Sequence, residues 1–417
     1  MKRIYDFSVA SGLFLLRTVG RFSPNLKKLT EGRKNILPSL EKFIAANKQD
    51  KGWFHVASLG EYEQAKPVIQ EFKRIYPTSA VVLTFFSPSG YEHVIKKPQP
   101  NVDFISYLPF DTKKSATRFI ELLQPKVAFF AKYDLWANFI FTLKESKIPL
   151  YLFSASLRKD QVYFKGYGGF FRKILHSFDH IFAQNKETVD LLSSIHYHKA
   201  TLTGDTRYDN VRAISQRPKD FPEIARFIDH QPTIVIGSAW EEDMALIIPF
   251  INRHPSYKFI IAPHDINEST IALWQKEIKA PSLKYSAMRE EGINQGRVLF
   301  IDNIGMLSSL YQYAKIAYVG GAFGKGLHNI LEPLAFGIPV IFGKLKNPGK
   351  FPEGNISQAY GCGFSVSNRS EFEETVLNLE QEDAYRSTCK SAIRLVDDNL
   401  GSAEKIMAIV QQNVSSV

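Results

Sequence analysis

Short apolar runs alternate with amphipathic, helix-length segments over most of the amino-terminal half of the chain. Continuous apolar runs of this length are typical of strands buried on both faces of a parallel sheet, and the segments between them have the 3.6-residue period of helices. Helices are predicted at 61–75, 113–124 and 135–145. The predicted strands are 52–58, 80–86, 102–109, 126–132, 148–156 and 180–185. This alternation predicts an α/β domain with a mostly parallel sheet.

A second alternating series begins after residues 214–232, a stretch rich in proline and charge that we interpret as a join. We therefore predict two doubly wound, Rossmann-like domains, 36–213 and 214–417, with the helical pattern at about 385–412 a candidate to return to the first domain. Ligands of open α/β sheets bind outside the carboxyl ends of the strands, so we expect a ligand-binding cleft between the domains. The strands predicted in the second series are 233–239, 257–263, 297–302, 316–321 and 339–343.

The first 35 residues form a separate basic segment, with a net charge of +6 out of +10 for the whole chain. Apolar residues recur in it at helical spacing, at Tyr5, Val9, Leu13 and Leu16. The longest uncharged stretch, 7–16, is too short to span a bilayer and is not followed by a convincing cleavage site. The pattern favours an amphipathic helix lying in an anionic membrane surface, although a first helix packed on its own domain explains it equally well, and both can hold. The basic residues of the segment are Lys2, Arg3, Arg17, Arg21, Lys27, Lys28, Arg33 and Lys34.

Several classes of protein are disfavoured by composition. The +4 that remains beyond residue 35 is spread over the rest of the chain, which is weak for a nucleic-acid surface. Two cysteines, Cys362 and Cys389, exclude a disulfide framework and are expected to be ordinary thiols. No carboxylate pair resembles a DxD metal motif, so neither a metal nor a cofactor is expected. Apart from His264, most of the histidines show no ligand spacing and are interpreted as structural or surface residues, including His55, His93 and His196.

The glycine-rich segment 318–343 is the most informative part of the sequence. A strand ends at Gly320 and Gly321, and after a loop a helix is predicted to begin near Asn329, a good N-cap residue. Glycines let a ligand approach the backbone, and a helix N-terminus offers free N–H groups to phosphate. Glu332 is placed to accept hydrogen bonds from sugar hydroxyls. A tight strand-to-helix connection is the alternative, but the spacing of these residues favours nucleotide binding.

Residues 319–343, VGGAFGKGLHNILEPLAFGIPVIFG, resemble the donor-binding region of GT-B glycosyltransferases, and in particular the signature of 3-deoxy-manno-octulosonate (Kdo) transferases. The resemblance covers nearly the whole chain. It implies a CMP-Kdo donor, a lipid A precursor (lipid IVA) as acceptor, and a membrane-associated enzyme of lipopolysaccharide synthesis on the cytoplasmic face of the inner membrane. Further blocks resemble the family in the same order: HVASLGE (55–61), DLWAN (134–138), GDTRYD (204–209), GSAWEED (237–243), IAPHD (261–265) and DNIGML (302–307).

Glu61 follows the first predicted strand and lies at the start of the next helix. The helix dipole there stabilises a carboxylate and is expected to keep it ionised. The resemblance assigns Glu61 the role of general base, which accepts the proton of an acceptor hydroxyl as that hydroxyl attacks the anomeric carbon with inversion. A helix-capping glutamate is the alternative role, and Glu63 is a competing carboxylate on a different helical face.

Three more catalytic positions carry over by motif. The family commonly has two acids around one residue before Leu-Trp-Pro-Asn; here Asp134 keeps one acid, whereas Lys132 replaces the other and Ala137 replaces the proline. Arg207 stands where the family often has lysine. A cation there offsets charge on the departing phosphate or on the Kdo carboxylate. Solvated surface charge is the alternative for these positions.

The resemblance also implies a set of donor contacts, and this chain departs from the family in several of them. His264 replaces an arginine after Pro263, Met306 replaces an acid, and Trp240 replaces a histidine. These changes affect the details of CMP contact rather than the class of protein. The implied donor-binding residues are Ser238, Pro263, His264, Ile304, Gly305, Met306, Gly320, Gly321, Asn329 and Glu332.

Two other functions fit parts of the same pattern. One is a GT-B enzyme that uses another nucleotide sugar or acts as an epimerase, for which UDP rather than CMP should protect the fold from heat. The other is a catalytically inactive lipid-binding or assembly factor, which the departures at Lys132 and Met306 slightly favour. Glu61, Asn329 and Glu332 argue against inactivity because they retain the family's residues.

Overall fold

The structure is a computed structural model and describes residues 1–19, 24–288 and 293–414. The chain divides into two compact units. Unit 1 comprises residues 1–210 and 401–417, and unit 2 comprises residues 211–400. The division falls three residues before the boundary predicted at 213/214, and the final helix belongs to unit 1 rather than to the second domain.

Unit 1 is built on a seven-stranded sheet in the order β3-β2-β1-β4-β5-β6-β7, and every neighbouring pair in it is parallel. Its strands are β1 (Lys51–Val56), β2 (Ala80–Phe85), β3 (Phe104–Tyr107), β4 (Val127–Ala131), β5 (Leu150–Ala155), β6 (His180–Ala183) and β7 (Ala200–Leu202). Its helices are α1 (Lys2–Val19), α2 (Pro24–Glu31), α3 (Ile36–Ala46), α4 (Leu59–Ile75), α5 (Pro88–Val94), α6 (Lys113–Leu123), α7 (Ala137–Glu145), α8 (Gly169–Leu175), α9 (Lys186–Ser194), the beginning of α10 (Arg207–Gln216) and α19 (Ser402–Val414).

Unit 2 repeats the plan with a parallel sheet in the order β10-β11-β9-β8-β12-β13-β14. Its strands are β8 (Thr233–Ala239), β9 (Lys258–Pro263), β10 (Ser282–Lys284), β11 (Val298–Phe300), β12 (Ile316–Val319), β13 (Val340–Gly343) and β14 (Gly363–Val366). Its helices are α11 (Pro222–Ile228), α12 (Glu241–Arg253), α13 (Glu268–Glu277), α14 (Leu307–Leu310), α15 (Leu331–Ala335), α16 (Pro352–Tyr360), α17 (Arg369–Asn378) and α18 (Glu382–Asp397).

The central strands are buried on both faces, which explains their continuous apolar sequences. Every residue of β1, β2, β4 and β5 is buried, and rings such as Trp53, Phe54 and Phe129 fill the space between the sheet and its helices. Three strands escaped prediction from sequence, namely β7, β10 and β14. All three are edge strands of three or four residues that are not buried throughout, so they lack the apolar runs that identified the others.

The strand order reverses once in each sheet, and this reversal positions the candidate sites. In unit 1 the chain turns from β3-β2-β1 to β4-β5-β6-β7, so the switch point lies between β1 and β4. In unit 2 the corresponding point lies between β8 and β12. Connections leave opposite faces of the sheet at a switch point, which opens a crevice at the carboxyl ends of the two strands. Predicted site residues lie at or soon after the ends of these four strands, and others follow β7, β9 and β11.

Helix α1 packs against unit 1 along the face that the sequence identified as apolar. The Tyr5 hydroxyl donates to Asp111 Oδ2 at 2.6 Å, and the Tyr5 ring lies 5.4 Å from that of Phe170. Val9, Leu13 and Leu16 on the same side are half-buried. The strongly exposed apolar residues of α1 lie on the opposite side: Ile4, Phe7, Phe14 and Leu15.

The face of α1 that carries Tyr5, Val9, Leu13 and Leu16 is partly covered by unit 1. This face is therefore not free to contact a membrane. Arg21, one of the basic residues of the segment, lies outside the described residues. No helix in the described part of the chain is long and apolar enough to cross a membrane.

Candidate functional site

Glu61 is the third residue of α4 and is buried, with 6% of its surface exposed. The backbone N–H of Ala57, at the end of β1, donates to its Oε2 at 2.5 Å. Burial raises the pKa of Glu61 to about 7, against the opposing effect of the Ala57 N–H; the charge of Asp134 raises this pKa further and that of Lys132 lowers it. We expected the helix dipole to keep Glu61 ionised, but burial leaves it only partly ionised at neutral pH. Glu61 exchanges a proton near pH 7.

Lys132 and Asp134 lie in the loop after β4, on the other side of the switch point. Lys132 has φ of +55°, a left-handed conformation that a residue with a Cβ rarely adopts, and its amide donates to the Phe153 carbonyl at 2.9 Å. Strained backbone of this kind persists where surrounding structure holds it, and it is common at functional sites. The pKa of Glu61 responds to both charges, so the structure brings these three predicted residues together.

Asp134 is held by a histidine that sequence reasoning did not connect with the site. His55 Nε2 lies 2.8 Å from Asp134 Oδ2, and Trp136 Nε1 donates to the same oxygen at 2.9 Å. His55 is fully buried on β1. The only signal in the sequence was the position of His55 inside an apolar strand six residues before Glu61, whereas its partner is 79 positions away.

Arg207 is paired rather than freely solvated. Its Nη2 lies 2.7 Å from Asp205 Oδ2, and its own amide N–H donates to Asp205 Oδ1 at 3.0 Å. Burial favours the neutral form of Asp205, but Arg207 outweighs burial, so the net pKa of Asp205 is below its ordinary value. Lys132 also lowers that pKa, which links Arg207 and Asp205 to the Lys132 loop. The competing carboxylate Glu63 is engaged elsewhere, because it accepts from Lys66 at 2.6 Å and from Asn210 at 2.9 Å.

In unit 2 the first part of the candidate site is organised by Asp243 on α12. Asp243 accepts from the amides of Trp240 at 3.0 Å and Gly321 at 2.9 Å, and from the Tyr318 hydroxyl at 2.8 Å. These bonds tie the loop after β8 to the loop after β12, across the switch point of the sheet. Ser238, the last residue but one of β8, has φ of +52°.

Gly320 and Gly321 admit no larger residue. A Cβ on Gly320 would lie 2.4 Å from both Asp243 Oδ2 and the Ser238 carbonyl. Gly321 has φ of +93°, and a Cβ there would lie 2.4 Å from the Gly326 carbonyl. The glycines therefore allow close backbone packing within the loop, which is a structural requirement beside any contact with a ligand.

The helix after the glycine-rich loop is shorter than predicted. α15 spans only Leu331–Ala335, and its N-cap is Ile330 rather than Asn329. Asn329 nevertheless accepts from the Leu331 amide at 3.2 Å, and its Nδ2 donates to Glu332 Oε1 at 3.1 Å. A helix of five residues has only a small dipole. The N-terminus of α15 is therefore not a strong phosphate-binding site. The Asn329–Glu332 pair instead provides polar side-chain groups beside the glycine loop.

Trp240, His264 and His328 form a group of stacked rings at the same sheet edge. The His264 ring lies 4.4 Å from both Trp240 and His328, and Trp240 Nε1 donates to His328 Nε2 at 3.2 Å. Burial, reinforced by His264, lowers the pKa of His328 to about 4, so His328 is neutral at physiological pH. His264, which follows the buried Pro263 at the end of β9, is exposed and has one ring face in this stack. The sequence identifies Trp240 only as a departure from the family's histidine, and it does not predict His328 as a site residue.

The loop after β11 supplies the remaining predicted donor contacts. Ile304 is 65% exposed, and Gly305 has φ of +96°. Met306 is buried, and its carbonyl accepts from the amides of Ser309 and Leu310 at the start of α14. Met306 thus begins a helix, and its carbonyl is already occupied, whereas Ile304 and Gly305 lie in an exposed loop.

The predicted residues thus form two groups, one at the carboxyl edge of each sheet. Unit 1 holds Glu61, Lys132, Asp134 and Arg207, and unit 2 holds the ten predicted donor residues. Over residues 1–19, 24–288 and 293–414, no group of three or more His, Cys, Asp or Glu side chains is arranged to hold a metal ion. Two doubly wound parallel sheets, each with polar loops at its switch point, define the GT-B class of fold.

Comparison with known proteins gives the family. Residues 35–210 match the model of the 3-deoxy-D-manno-octulosonic-acid transferase (Kdo transferase) amino-terminal domain family. A 3-deoxy-D-manno-octulosonic acid transferase from Aquifex aeolicus is 31% identical over 329 residues, which cover 76% of this chain and 83% of the relative. The chain therefore belongs to the Kdo transferase family, which is a family of glycosyltransferases.

Solved structures agree on the fold. A putative UDP-N-acetylglucosamine 2-epimerase from Listeria monocytogenes superposes with a TM-score of 0.61 and 12% identity, over 88% of this chain and 98% of that chain. A glycosyltransferase from Rickettsia africae superposes with a TM-score of 0.56 and 13% identity, over 87% of this chain and 98% of that chain. At this identity the likeness concerns architecture alone, and it confirms the predicted GT-B fold.

Proposed function

We propose that the protein is an inverting transferase that moves Kdo from CMP-Kdo to a lipid A precursor at the cytoplasmic face of an inner membrane. Membership of the family supports the transfer of Kdo. The observation that carries the catalytic part of the proposal is the buried Glu61, whose pKa of about 7 matches the working pH of a general base. The charges that act on Glu61 are the negative Asp134 and the positive Lys132. The two have opposite effects on its proton affinity.

In the proposed mechanism ionised Glu61 accepts the proton of an acceptor hydroxyl. The hydroxyl oxygen forms a bond to the anomeric carbon of Kdo as the bond from that carbon to the CMP phosphate oxygen breaks, with inversion of configuration. The transition state resembles an oxocarbenium ion, as in glycoside hydrolysis. The cations Lys132 and Arg207 are proposed to offset the negative charge of the Kdo carboxylate or the departing phosphate. The proposal invokes no metal ion and no cofactor.

Unit 2 is the proposed donor site. Gly321, Asn329 and Glu332 follow β12 and the exposed loop of Ile304 and Gly305 follows β11, so all of them lie at the carboxyl edge of one sheet. The amides of the loop glycines already donate within the protein, so a nucleotide bound there is proposed to use the Asn329 and Glu332 side chains for its sugar and the Ile304 and Gly305 backbone for its base. His264 offers at most two ring nitrogens to the phosphate where an arginine offers a fork of donors.

Helix α1 is the proposed membrane contact. Its outer face carries two exposed phenylalanines, Phe7 at 73% and Phe14 at 69%, together with Ile4 and Leu15. Apolar rings on one face of a helix in a basic segment are typical of helices that lie in the interface of an anionic bilayer. The other face of α1 contacts unit 1, so docking on the domain and contact with a membrane use different sides of one helix.

The experiment that tests the function uses purified full-length protein, CMP-Kdo generated in the reaction, and a tetra-acylated lipid A precursor. Mass spectrometry of the lipid should show a mass increase of one or more Kdo units and would count them. No increase, with folded protein and a known Kdo transferase active in parallel, would contradict the proposed donor and acceptor. Protection of the fold from heat by UDP but not by CMP would then favour a GT-B enzyme with another nucleotide sugar.

A further inference from the structure

The buried polar chain behind Asp134 has no place in the mechanism so far. It runs from Trp53 through Thr84 and His55 to Asp134, and it joins strands β1 and β2 to the loop after β4. Trp53 Nε1 donates to Thr84 Oγ1 at 2.9 Å, and the same oxygen lies 2.9 Å from His55 Nδ1. Trp53, Thr84 and His55 are all fully buried. A histidine in such a place has both ring nitrogens engaged and cannot turn.

The partners of His55 determine which of its nitrogens carries the proton. Asp134 Oδ2 can only accept, so the Nε2 that lies 2.8 Å from it must be the donor. In the neutral ring Nδ1 is then the acceptor, and the Thr84 hydroxyl donates to it. The other acceptor within reach of that hydroxyl is the Phe54 carbonyl at 3.4 Å, which is a much weaker contact.

The two oxygens of Asp134 have different surroundings. Oδ2 accepts from two ring N–H groups, those of His55 and Trp136, whereas Oδ1 has no hydrogen-bond partner among the residues that the structure describes. The side chain is 18% exposed, and its charge acts on Glu61. Two fixed donors on one oxygen hold the carboxylate in a single rotamer, with the other oxygen available to a ligand next to Glu61.

We infer that His55 is a positioning residue of the transfer reaction: it holds Asp134 so that Oδ1 accepts a hydrogen bond from the acceptor sugar while Glu61 takes the proton of the attacking hydroxyl. The inference rests on the proposed function. It assigns His55 no contact with substrate and no proton transfer of its own. A histidine that only fills the core of unit 1 would have no such dependence on Asp134.

The test compares two amide substitutions of His55 in the full-length protein. In His55→Gln the amide nitrogen reaches about as far as the imidazole Nε2 and keeps a donor for Asp134, whereas the shorter amide of His55→Asn reaches only the Thr84 side. We expect His55→Asn to lower kcat/KM for the lipid acceptor by about 10²-fold, the usual cost of a reacting group misplaced by about 1 Å. His55→Gln should retain activity within about tenfold of the wild type, and KM for CMP-Kdo should stay within about twofold in both.

A double-mutant cycle separates positioning from general stability. Once Asp134 is replaced by alanine, His55→Asn should change kcat/KM by less than about twofold, because the residue that it positions is gone. An equal loss in both backgrounds, or wild-type activity in His55→Asn, would overturn the inference. The matched control is His180→Asn, because His180 Nε2 also lies 2.9 Å from a threonine hydroxyl, on β6 of the same sheet, three strands away from β1; its activity should not change.

If His55→Asn does not fold, Trp136→Phe tests whether activity depends on the positioning of Asp134. It removes the second donor to Oδ2 but keeps a ring to stack on Phe86, 4.4 Å away. A loss of activity that disappears in the Asp134→Ala background supports the inference, and an additive loss contradicts it. Absence of Kdo transfer by the wild-type protein would overturn the proposed function and this inference together, whereas an active wild type with additive variants would overturn this inference alone.

Discussion

The two units share one plan but differ in what they place at the switch point of the sheet. In unit 1 the carboxyl edge of the sheet carries formal charges, among them Glu61, Lys132 and Asp134, and the pKa of Glu61 is strongly raised. In unit 2 the loops carry glycines and stacked rings, tied together by the single carboxylate Asp243. The first arrangement is suited to moving a proton, and the second to close contact with a flat, phosphate-bearing ligand. The same fold thus separates chemistry from recognition through its loops.

Glu61→Gln should have the largest effect: it should impair the transfer reaction in unit 1 and leave CMP binding in unit 2 unchanged. We expect transfer to fall by about 10²–10⁴-fold, the usual contribution of a positioned general base. The amide keeps an acceptor for the Ala57 N–H, so the local structure should survive. Binding of CMP, measured as the rise in melting temperature that CMP causes, should be unchanged because the proposed donor site is in unit 2. Full activity of the variant would exclude Glu61 as the base.

The same substitution should stabilise the protein at alkaline pH. Burial raises the pKa of Glu61, so the folded protein binds this proton more tightly than the unfolded chain, and stability is lost as the pH rises from about 4.5 to about 7. Glu61→Gln removes that loss and should raise the free energy of unfolding by about 3 kcal/mol at pH 8, with little effect below pH 4. Urea unfolding at the two pH values measures it, and an equal effect at both would contradict the assigned cause.

Gly321→Ala should impair unit 2 without altering unit 1. The new Cβ would lie 2.4 Å from the Gly326 carbonyl, and φ of +93° is unfavourable for alanine. Keeping a left-handed conformation costs alanine about 1–2 kcal/mol, so the loop should relax out of its binding conformation, and CMP affinity by calorimetry should fall about tenfold. The control is Gly324→Ala, where the nearest heavy atom is 3.5 Å away, and it should bind CMP normally. Equal affinity in the two variants would show that the loop does not contact the nucleotide.

Substitutions on the exposed face of α1 should have a smaller effect, and this effect should appear only in binding to a membrane. Replacing Phe7 and Phe14 with serine should weaken binding to vesicles of anionic phospholipid by about tenfold or more for each ring, since each buried ring contributes about 1.5–3 kcal/mol. Activity on detergent-dispersed acceptor should be unchanged. Tyr167→Ser is a matched control, because this residue of unit 1 is 74% exposed but lies outside the basic segment. Vesicle binding equal to the wild type would contradict the proposed contact.

The smallest effects concern the charges around Glu61. The rate should rise with pH through about 7 as Glu61 loses its proton. Lys132→Gln removes a charge that lowers the pKa of Glu61, so this acid limb should move to higher pH; Asp134→Asn should move it to lower pH. The pH dependence of kcat/KM in the two variants measures both. Shifts in the same direction would mean that the limb reports another group.

The α/β class, the two domains and most central strands could be predicted because these features depend on local pattern. A strand buried on both faces must be apolar throughout, so β1, β2, β4 and β5 are visible in the sequence. The short edge strands β7, β10 and β14 could not be predicted from the sequence, since runs of three or four residues that are not buried throughout resemble loops. The prediction also made α15 too long. Asn329 and Ile330 precede the helix, and the Asn329 side chain accepts a hydrogen bond from the Leu331 amide in its first turn.

The sequence by itself determined the residue types at the ends of the strands and, through them, the family to which the chain belongs. Tertiary structure alone decided the proton affinity of Glu61, because desolvation depends on what packs around a carboxylate and not on its place in a helix. It also decided that His55 meets Asp134 across 79 positions of chain and that α1 turns Phe7 and Phe14 outward. Local pattern predicts elements, but contacts between residues distant in sequence arise only when the sheet assembles and brings its carboxyl ends together.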